Sequence, residues 1–179
     1  DMKVHCKLAI VTRVVKGKES HQAVIATGNF NESTARVYSD LALFTSHEEI
    51  CEEALKVFAF IEKPYLNFRF KHLLVAPAAM RSKYIKMLNR EIQFAKNGTD
   101  AYAFIKVNSL VDETLIRKLY QASRAGVKIR LIVRGICSLM PGLPGLSENI
   151  EIHSIIDRYL EHTRVFIFGN GGKEDIYIS

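Results

Sequence analysis

Several signatures are missing from this chain, and each absence narrows what it can do. There is no G-x-x-x-x-G-K-[ST], so it is not a P-loop enzyme. No G-x-G-x-x-G follows a strand, and neither H-E-x-x-H nor G-x-S-x-G occurs, which removes the usual dinucleotide, zincin and serine-hydrolase signatures. Cysteine is scarce: Cys6, Cys51 and Cys137 lie far apart, odd in number and without a C-x-x-C pair. That argues against a disulfide framework or a zinc site and fits a reducing cytoplasm. Cys6 and Cys137 stand in apolar, strand-like surroundings and are expected to be buried and inert. No apolar run reaches the length of a membrane span, and no secretory signal opens the chain. Clustered acids that would hold Mg2+ are not evident, nor is the aromatic-plus-basic sheet pattern of an RNA reader.

What is present is a half-apolar, basic chain. Hydrophobic residues make up 48% of the 179 positions, enough for a packed core, and the formal charge is +6 with a pI near 9.2. The excess favours an anionic partner, although it forms no long basic tract and a mildly basic solvated surface accounts for it equally well. Both ends read as cuts within a longer protein, and a fragment is expected.

The apolar pattern predicts a strand over 3–16, broken at Lys16-Gly17, and a hairpin partner over 21–27. Gly28-Asn29-Phe30-Asn31 is turn-rich, and 40–44 is a further short strand. Ser46-His47-Glu48-Glu49 has the form of a capping box opening a helix to about Glu62. The segment around Lys63-Pro64 is a connector, with a domain boundary near Lys71. Beyond it come a strand over 72–76, a helix over 78–96 and a strand over 101–107. A helix capped at Asn108 or Ser109 then runs to about Ala125, followed by a strand over 127–133. This β-α-β-α-β order implies a largely parallel sheet.

Two stretches share one pattern: His5-Cys6-Lys7 and His162-Thr163-Arg164, each followed by an apolar run. Residues two apart on a strand face the same side, so each pattern aims an imidazole and a cation at one place. That pairing suits a phosphoryl group, whose oxygens the cation neutralises while the imidazole attacks or donates a proton. Taken singly, each pair reads as a wet strand face; the repetition favours a site. Arg134 ends the strand 127–133, where open α/β sheets place ligand crevices. The loop Pro141-Gly142-Leu143-Pro144-Gly145 has amides that could cradle phosphate, although turn chemistry explains its glycines more simply.

Paired His-x-cation strands followed by Gly28-Asn29-Phe30-Asn31 resemble the phospholipase D superfamily. The chain departs from that motif at Thr12, where an Asp is usual, and at Arg164, where a Lys is usual. The resemblance to bacterial polyphosphate kinases of the long phosphohistidine type accommodates both departures. It rests on Val4-His5-Cys6-Lys7-Leu8-Ala9, Thr34-Ala35-Arg36-Val37-Tyr38-Ser39-Asp40, Ile132-Val133-Arg134-Gly135-Ile136-Cys137, Pro141-Gly142-Leu143-Pro144-Gly145 and Leu160-Glu161-His162-Thr163-Arg164, in order along nearly the whole chain.

The resemblance implies an α/β, phospholipase D-like fold: two related mixed or parallel sheets with flanking helices, truncated at both ends. Residues 1–71 would be the end of a first catalytic domain and 72–179 most of a second. It further implies reversible transfer of the ATP γ-phosphate to inorganic polyphosphate through a phosphohistidine. His5 is the implied nucleophile, His162 a catalytic partner, and Tyr38, Arg134 and His162 the ATP contacts. Lys7 and Arg164 are phosphate-binding cations on the residue reading, and the resemblance is compatible with that. Mg2+ ligands are expected outside this stretch. ATP, ADP and polyphosphate are the implied partners rather than nucleic acid, with a homo-oligomer for the full-length protein, a cytoplasmic location and room for membrane association. The alternatives are a phospholipase D-like phosphodiesterase and a non-catalytic polyanion-binding module.

Overall fold

A computed structural model describes residues 3–179. Strands β1 (Lys7–Val15) and β2 (Lys18–Ala26) form an antiparallel hairpin with Val15 opposite Lys18. Lys16 and Gly17 make the turn, both at positive φ (50° and 76°), the two-residue geometry whose twist matches that of the strands. After a short helix α1 (Glu32–Ala35) and strand β3 (Tyr38–Ser39), β4 (Ala42–Thr45) pairs antiparallel with β2. Helix α2 (Glu48–Glu62) packs Cys51 and Ala54 on Ala23, with Leu8 and Ile10 beside them. This first sheet, ordered β1-β2-β4, is wholly antiparallel, which corrects the expectation of a mixed or parallel one. A two-residue hairpin forces the reversal, since parallel neighbours need a long crossover.

The second part follows the expected alternation. Helix α3 (Met80–Lys96), β5 (Tyr102–Val107), α4 (Glu113–Arg124) and β6 (Lys128–Val133) are succeeded by β7 (Ile150–His153), β8 (Leu160–Glu161), β9 (Val165–Phe168) and β10 (Asp175–Ile178). The sheet order is β10-β9-β5-β6-β7. Strands β5, β6 and β7 run parallel, and β9 and β10 are antiparallel. The main core lies under α3 and α4, where Leu88, Leu119 and Ala122 meet Ala103, Ile129, Leu131 and Phe168. Every strand residue of that face is apolar at alternate positions, the period-2 pattern of one buried side. The described residues form a mixed α/β structure of several sheets and four α-helices.

Three expectations are corrected. The helix after Leu110 starts later than expected, because Asp112 rather than Asn108 or Ser109 caps it by accepting from the Leu115 amide (3.0 Å). Val111, outside the helix, is exposed, and Ile116 takes the inward place. Segment 72–76 forms no strand. No neighbouring strand takes its amides; the buried Glu53 carboxylate accepts from Lys71, His72 and Leu73, and Lys83 Nζ donates to the carbonyls of Phe70 and Leu73. The cysteines are also redistributed: Cys51 is the buried one, and Cys6 is exposed.

Between the two parts runs a seam. Strands β3 and β8 pair in parallel, Tyr38 opposite Leu160 and Ser39 opposite Glu161. Thr163 extends it, its amide (3.0 Å) and hydroxyl (2.7 Å) both donating to the Ser39 carbonyl.

Candidate functional site

The seam and the ends of β1 and β9 position the candidate residues. His5 lies just before β1, and His162 and Arg164 lie in the extended link between β8 and β9. Neither histidine is therefore within a strand, and contact joins imidazole and cation only in the first pair, since Arg164 lines the large cavity and His162 does not. Lys7, the first residue of β1, places its ammonium 3.1 and 3.2 Å from the His5 ring nitrogens and donates to the His5 carbonyl (2.8 Å). An ammonium so placed disfavours the imidazolium. Accordingly, the Lys7 charge first of all holds the His5 pKa below its ordinary value; partial loss of solvent, then the charges of Arg164, Lys3 and His162, act in the same direction. The Lys7 pKa is itself lowered, by desolvation and then by Arg164, against the pull of Asp40.

His5, Lys7 and Arg164 line one cavity of about 670 Å3, with Lys3, Lys71 and His72 contributing to its rim. Two carboxylates of that wall are engaged elsewhere: Asp175 with Arg90 (2.7 Å) and Glu174 with the Tyr102 hydroxyl. The polar part of the cavity is thus cationic, as a phosphate site must be.

His162 is half-buried, and its Nδ1 faces the Asp40 carboxylate at 2.8 Å. Asp40 is fixed in turn by the buried Thr27, whose hydroxyl donates to it (2.6 Å) and accepts from the Leu41 amide (3.0 Å). Gly28 is needed here, because a Cβ at that position would lie 2.2 Å from Asp40 Oδ2. A carboxylate can only accept here, so Nδ1 donates to it, the ring is held in one orientation, and Nε2 is left free. Asp40 was not singled out from the sequence. It stands 122 positions from its partner, and a lone acid at the end of a short strand carries no local signal.

The Tyr38 ring packs against the His162 ring with centroids 5.1 Å apart. Tyr38 and Arg134 share a second hollow of about 340 Å3 beside the first part's seam. Arg134 Nε donates to Asn108 Oδ1 (3.1 Å) and not to a carboxylate. Of the six sequence-derived residues, His5, Lys7 and Arg164 line the large cavity and Tyr38 and Arg134 the hollow, whereas His162 lines neither but packs on Tyr38 and lies within electrostatic reach of His5.

Two other expectations resolve differently. The 141–147 loop spends its amides on itself: Gly142 donates to the Ser147 carbonyl, Leu143 to Ser147 Oγ and Gly145 to Glu148. Gly142 and Gly145 stand at positive φ, so turn chemistry accounts for them and no free cradle results. Thr12, the position of departure from the phospholipase D motif, bonds His21 across the hairpin (2.9 Å). Among the described residues no three His, Cys, Asp or Glu side chains are grouped to hold a metal ion. No helix among them is long and apolar enough to cross a membrane.

Comparison with known proteins gives consistent results. Residues 1–67 match the family described as polyphosphate kinase C-terminal domain 1, and residues 73–179 match polyphosphate kinase C-terminal domain 2. A polyphosphate kinase of Vibrio vulnificus (strain YJ016) is 51% identical over 178 residues, covering 99% of this chain and 25% of that protein. The Escherichia coli (strain K12) polyphosphate kinase is 47% identical, with 99% and 26% covered. The crystal structure of polyphosphate kinase from Porphyromonas gingivalis superposes with a TM-score of 0.90 at 42% identity, covering 99% of this chain and 30% of that one. The chain thus spans about a quarter of the length of the curated relatives it matches.

Proposed function

We propose a function from one premise: this chain belongs to the polyphosphate kinase family. It forms part of the catalytic region of an ATP:polyphosphate phosphotransferase, in which the γ-phosphoryl group passes reversibly to inorganic polyphosphate through a phosphohistidine at His5. The observation that carries this reading is His5 against the Lys7 ammonium in a cationic cavity, with Arg164 brought to the same cavity from the far end of the sequence.

The steps follow from the geometry. A ring nitrogen of His5 forms a bond to the γ-phosphorus as the bond to the β,γ-bridging oxygen breaks and its electron pair leaves with ADP. Such a transition state is loose and rich in charge, so cations around its oxygens matter more than covalent assistance. Lys7 and Arg164 fit that role, and Arg134 supplies charge from the adjoining hollow. Asp40 keeps a proton on His162 Nδ1; an imidazolium there donates from Nε2 to the leaving oxygen. The terminal oxygen of polyphosphate then attacks the phosphohistidine, and the N–P bond breaks back to neutral imidazole. Mg2+ associated with the nucleotide would add charge neutralisation.

The same reading divides the chain near Lys71 into the end of one phospholipase D-like domain, 1–71, and most of a second, 72–179. The gap between the two family matches, at 68–72, supports that boundary. ATP, ADP and polyphosphate are the partners, and the full-length protein is a cytoplasmic homo-oligomer.

The test is a phosphoenzyme. With labelled ATP, the full-length protein is expected to carry an acid-labile, base-stable phosphate that His5→Ala abolishes. Undiminished labelling of that variant removes His5 as nucleophile.

A further inference from the structure

The edge of the second sheet brings two tyrosines, unused by the mechanism, to the cavity of His5. Arg164 continues the β9–β10 pairing: its amide donates to the Ser179 carbonyl (3.1 Å) and its carbonyl accepts from the Ser179 amide (3.0 Å). Phe166, two residues on, therefore shares the side of Arg164, and Tyr177 stands directly opposite Phe166 in the register. From α3, Tyr84 stacks on Phe166 with ring centroids 4.4 Å apart. Tyr84, Tyr177 and Arg164 all line the cavity that holds His5 and Lys7. We propose that the Tyr84 hydroxyl is a phosphate-binding group of this cavity, donating to a non-bridging oxygen of the polyphosphate chain beside Arg164. The proposal rests on the polyphosphate kinase reading and adds a substrate contact to it.

Tyr84 has the chemistry of a fixed donor. It is 7% exposed, yet its hydroxyl bonds no other residue among those described. Among the same residues, the fully enclosed polar side-chain atoms without a partner are Arg90 Nε and Glu91 Oε2. The Tyr84 oxygen is therefore not sealed in the core and opens on the cavity, whose contents must supply its acceptor. Burial, and then Tyr177, push its pKa well above the ordinary phenol value, against the pull of Arg164. The phenol thus keeps its proton and offers it to an anion; a hydrogen bond to an ionised oxygen is the stronger kind. Stacking on Phe166 fixes the ring before any ligand arrives.

Charge and room then select the ligand. On the cavity wall, Lys71 is paired with Glu49 (2.8 Å) and Asp175 with Arg90 (2.7 Å). Lys3, Lys7 and Arg164 remain, against Glu174, which accepts from the Tyr102 hydroxyl and retains its charge. The balance is positive, as an anion requires. Arg164 joins the tyrosine to the reaction centre, since its charge acts on His5, on Lys7 and on Tyr84 alike. At about 670 Å3 the cavity exceeds what one transferred phosphoryl group fills and has room for further units of a phosphate chain. The nucleotide contacts expected at Tyr38 and Arg134 lie in the other hollow, so the polymer is the substrate assigned to Tyr84.

The experiment compares the unsubstituted full-length enzyme with Tyr84→Phe, which removes one oxygen and keeps the ring stacked on Phe166. KM for polyphosphate and KM for ATP are measured separately, alongside equilibrium binding of tripolyphosphate and the melting temperature. Losing a hydrogen bond to a charged oxygen is expected to raise KM for polyphosphate, and to weaken tripolyphosphate binding, by about tenfold. KM for ATP is expected to move by less than about twofold, and the melting temperature to hold, because the hydroxyl has no partner among the described residues. Unaltered polyphosphate KM and tripolyphosphate binding overturn the proposal. So does a rise in KM for ATP equal to or larger than that for polyphosphate, which would assign the hydroxyl to nucleotide phosphates. A lowered melting temperature with both KM values raised together overturns it as well, by giving Tyr84 a structural role. Failure of the unsubstituted enzyme to form a phosphohistidine from ATP is a different result: it overturns the kinase reading, while tripolyphosphate binding still decides whether Tyr84 holds a phosphate chain.

Discussion

At the scale of single residues, the Lys7 ammonium two positions away lowers the His5 pKa without burial of the ring. The sign of that effect is open to measurement. Lys7→Met removes the positive charge that most disfavours the imidazolium, so the His5 pKa is expected to rise toward the ordinary histidine value. Titration of the His5 ring protons by NMR reads this directly. An unchanged or lower pKa would show that Lys7 does not set the proton affinity. In activity the same substitution moves the acid limb of phosphoenzyme formation to higher pH, because less of His5 is neutral on the acidic side. His5, Lys7, His162 and Arg164 were all legible in the sequence as a repeated pattern. Asp40 and Thr27, which fix the His162 ring, were not, because their role exists only through a contact across the seam.

At the scale of elements, the segment joining the two parts is held by a side chain instead of a strand partner. Glu53 is 5% exposed and sits on α2, where helical spacing marks it only as a solvated position between apolar ones. Its carboxylate accepts three consecutive amides, Lys71, His72 and Leu73. Glu53→Ala leaves those donors without a partner and is expected to cost ~1–3 kcal/mol, with Glu53→Gln costing less since one acceptor oxygen remains. Chemical denaturation measures the loss, and faster hydrogen exchange at residues 71–73 localises it; unchanged exchange there would sink the clamp. This explains why the apolar run His72-Leu73-Leu74-Val75-Ala76 looked like a strand. Its composition suits one, but a strand needs a neighbour to pair with, and the nearest acceptor is a helix side chain. By contrast α3, α4, β5 and β6 stand close to where their periodicity put them, since each buries one face on the same core.

At the scale of the whole molecule, the two parts meet in a narrow seam on which both halves of the site depend. Thr163 is nearly buried there and gives Ser39 two hydrogen bonds. Thr163→Val keeps the shape and removes one of them. The expected loss is about 1 kcal/mol, with increased exchange of the Leu160 and Thr163 amides and a weaker Tyr38–His162 contact. Stability and exchange equal to those of the unsubstituted chain would show that the seam does not rely on the hydroxyl. The matched family segments lie on either side of this seam, so the cavity holding His5, Lys7 and Arg164 exists only when both are docked.

The sequence by itself determined the alternating order of the second part, the hairpin of the first, the basic character and the paired histidine–cation motifs. These are local properties, set by side-chain periodicity, turn residues and spacing. Tertiary structure decided the rest. The antiparallel first sheet, the missing strand at 72–76, the Asp40–His162 bond and the meeting of Arg164 with His5 all depend on which distant segments become neighbours. No residue's immediate context encodes that choice, because it is made by the packing of two cores and the short strands between them.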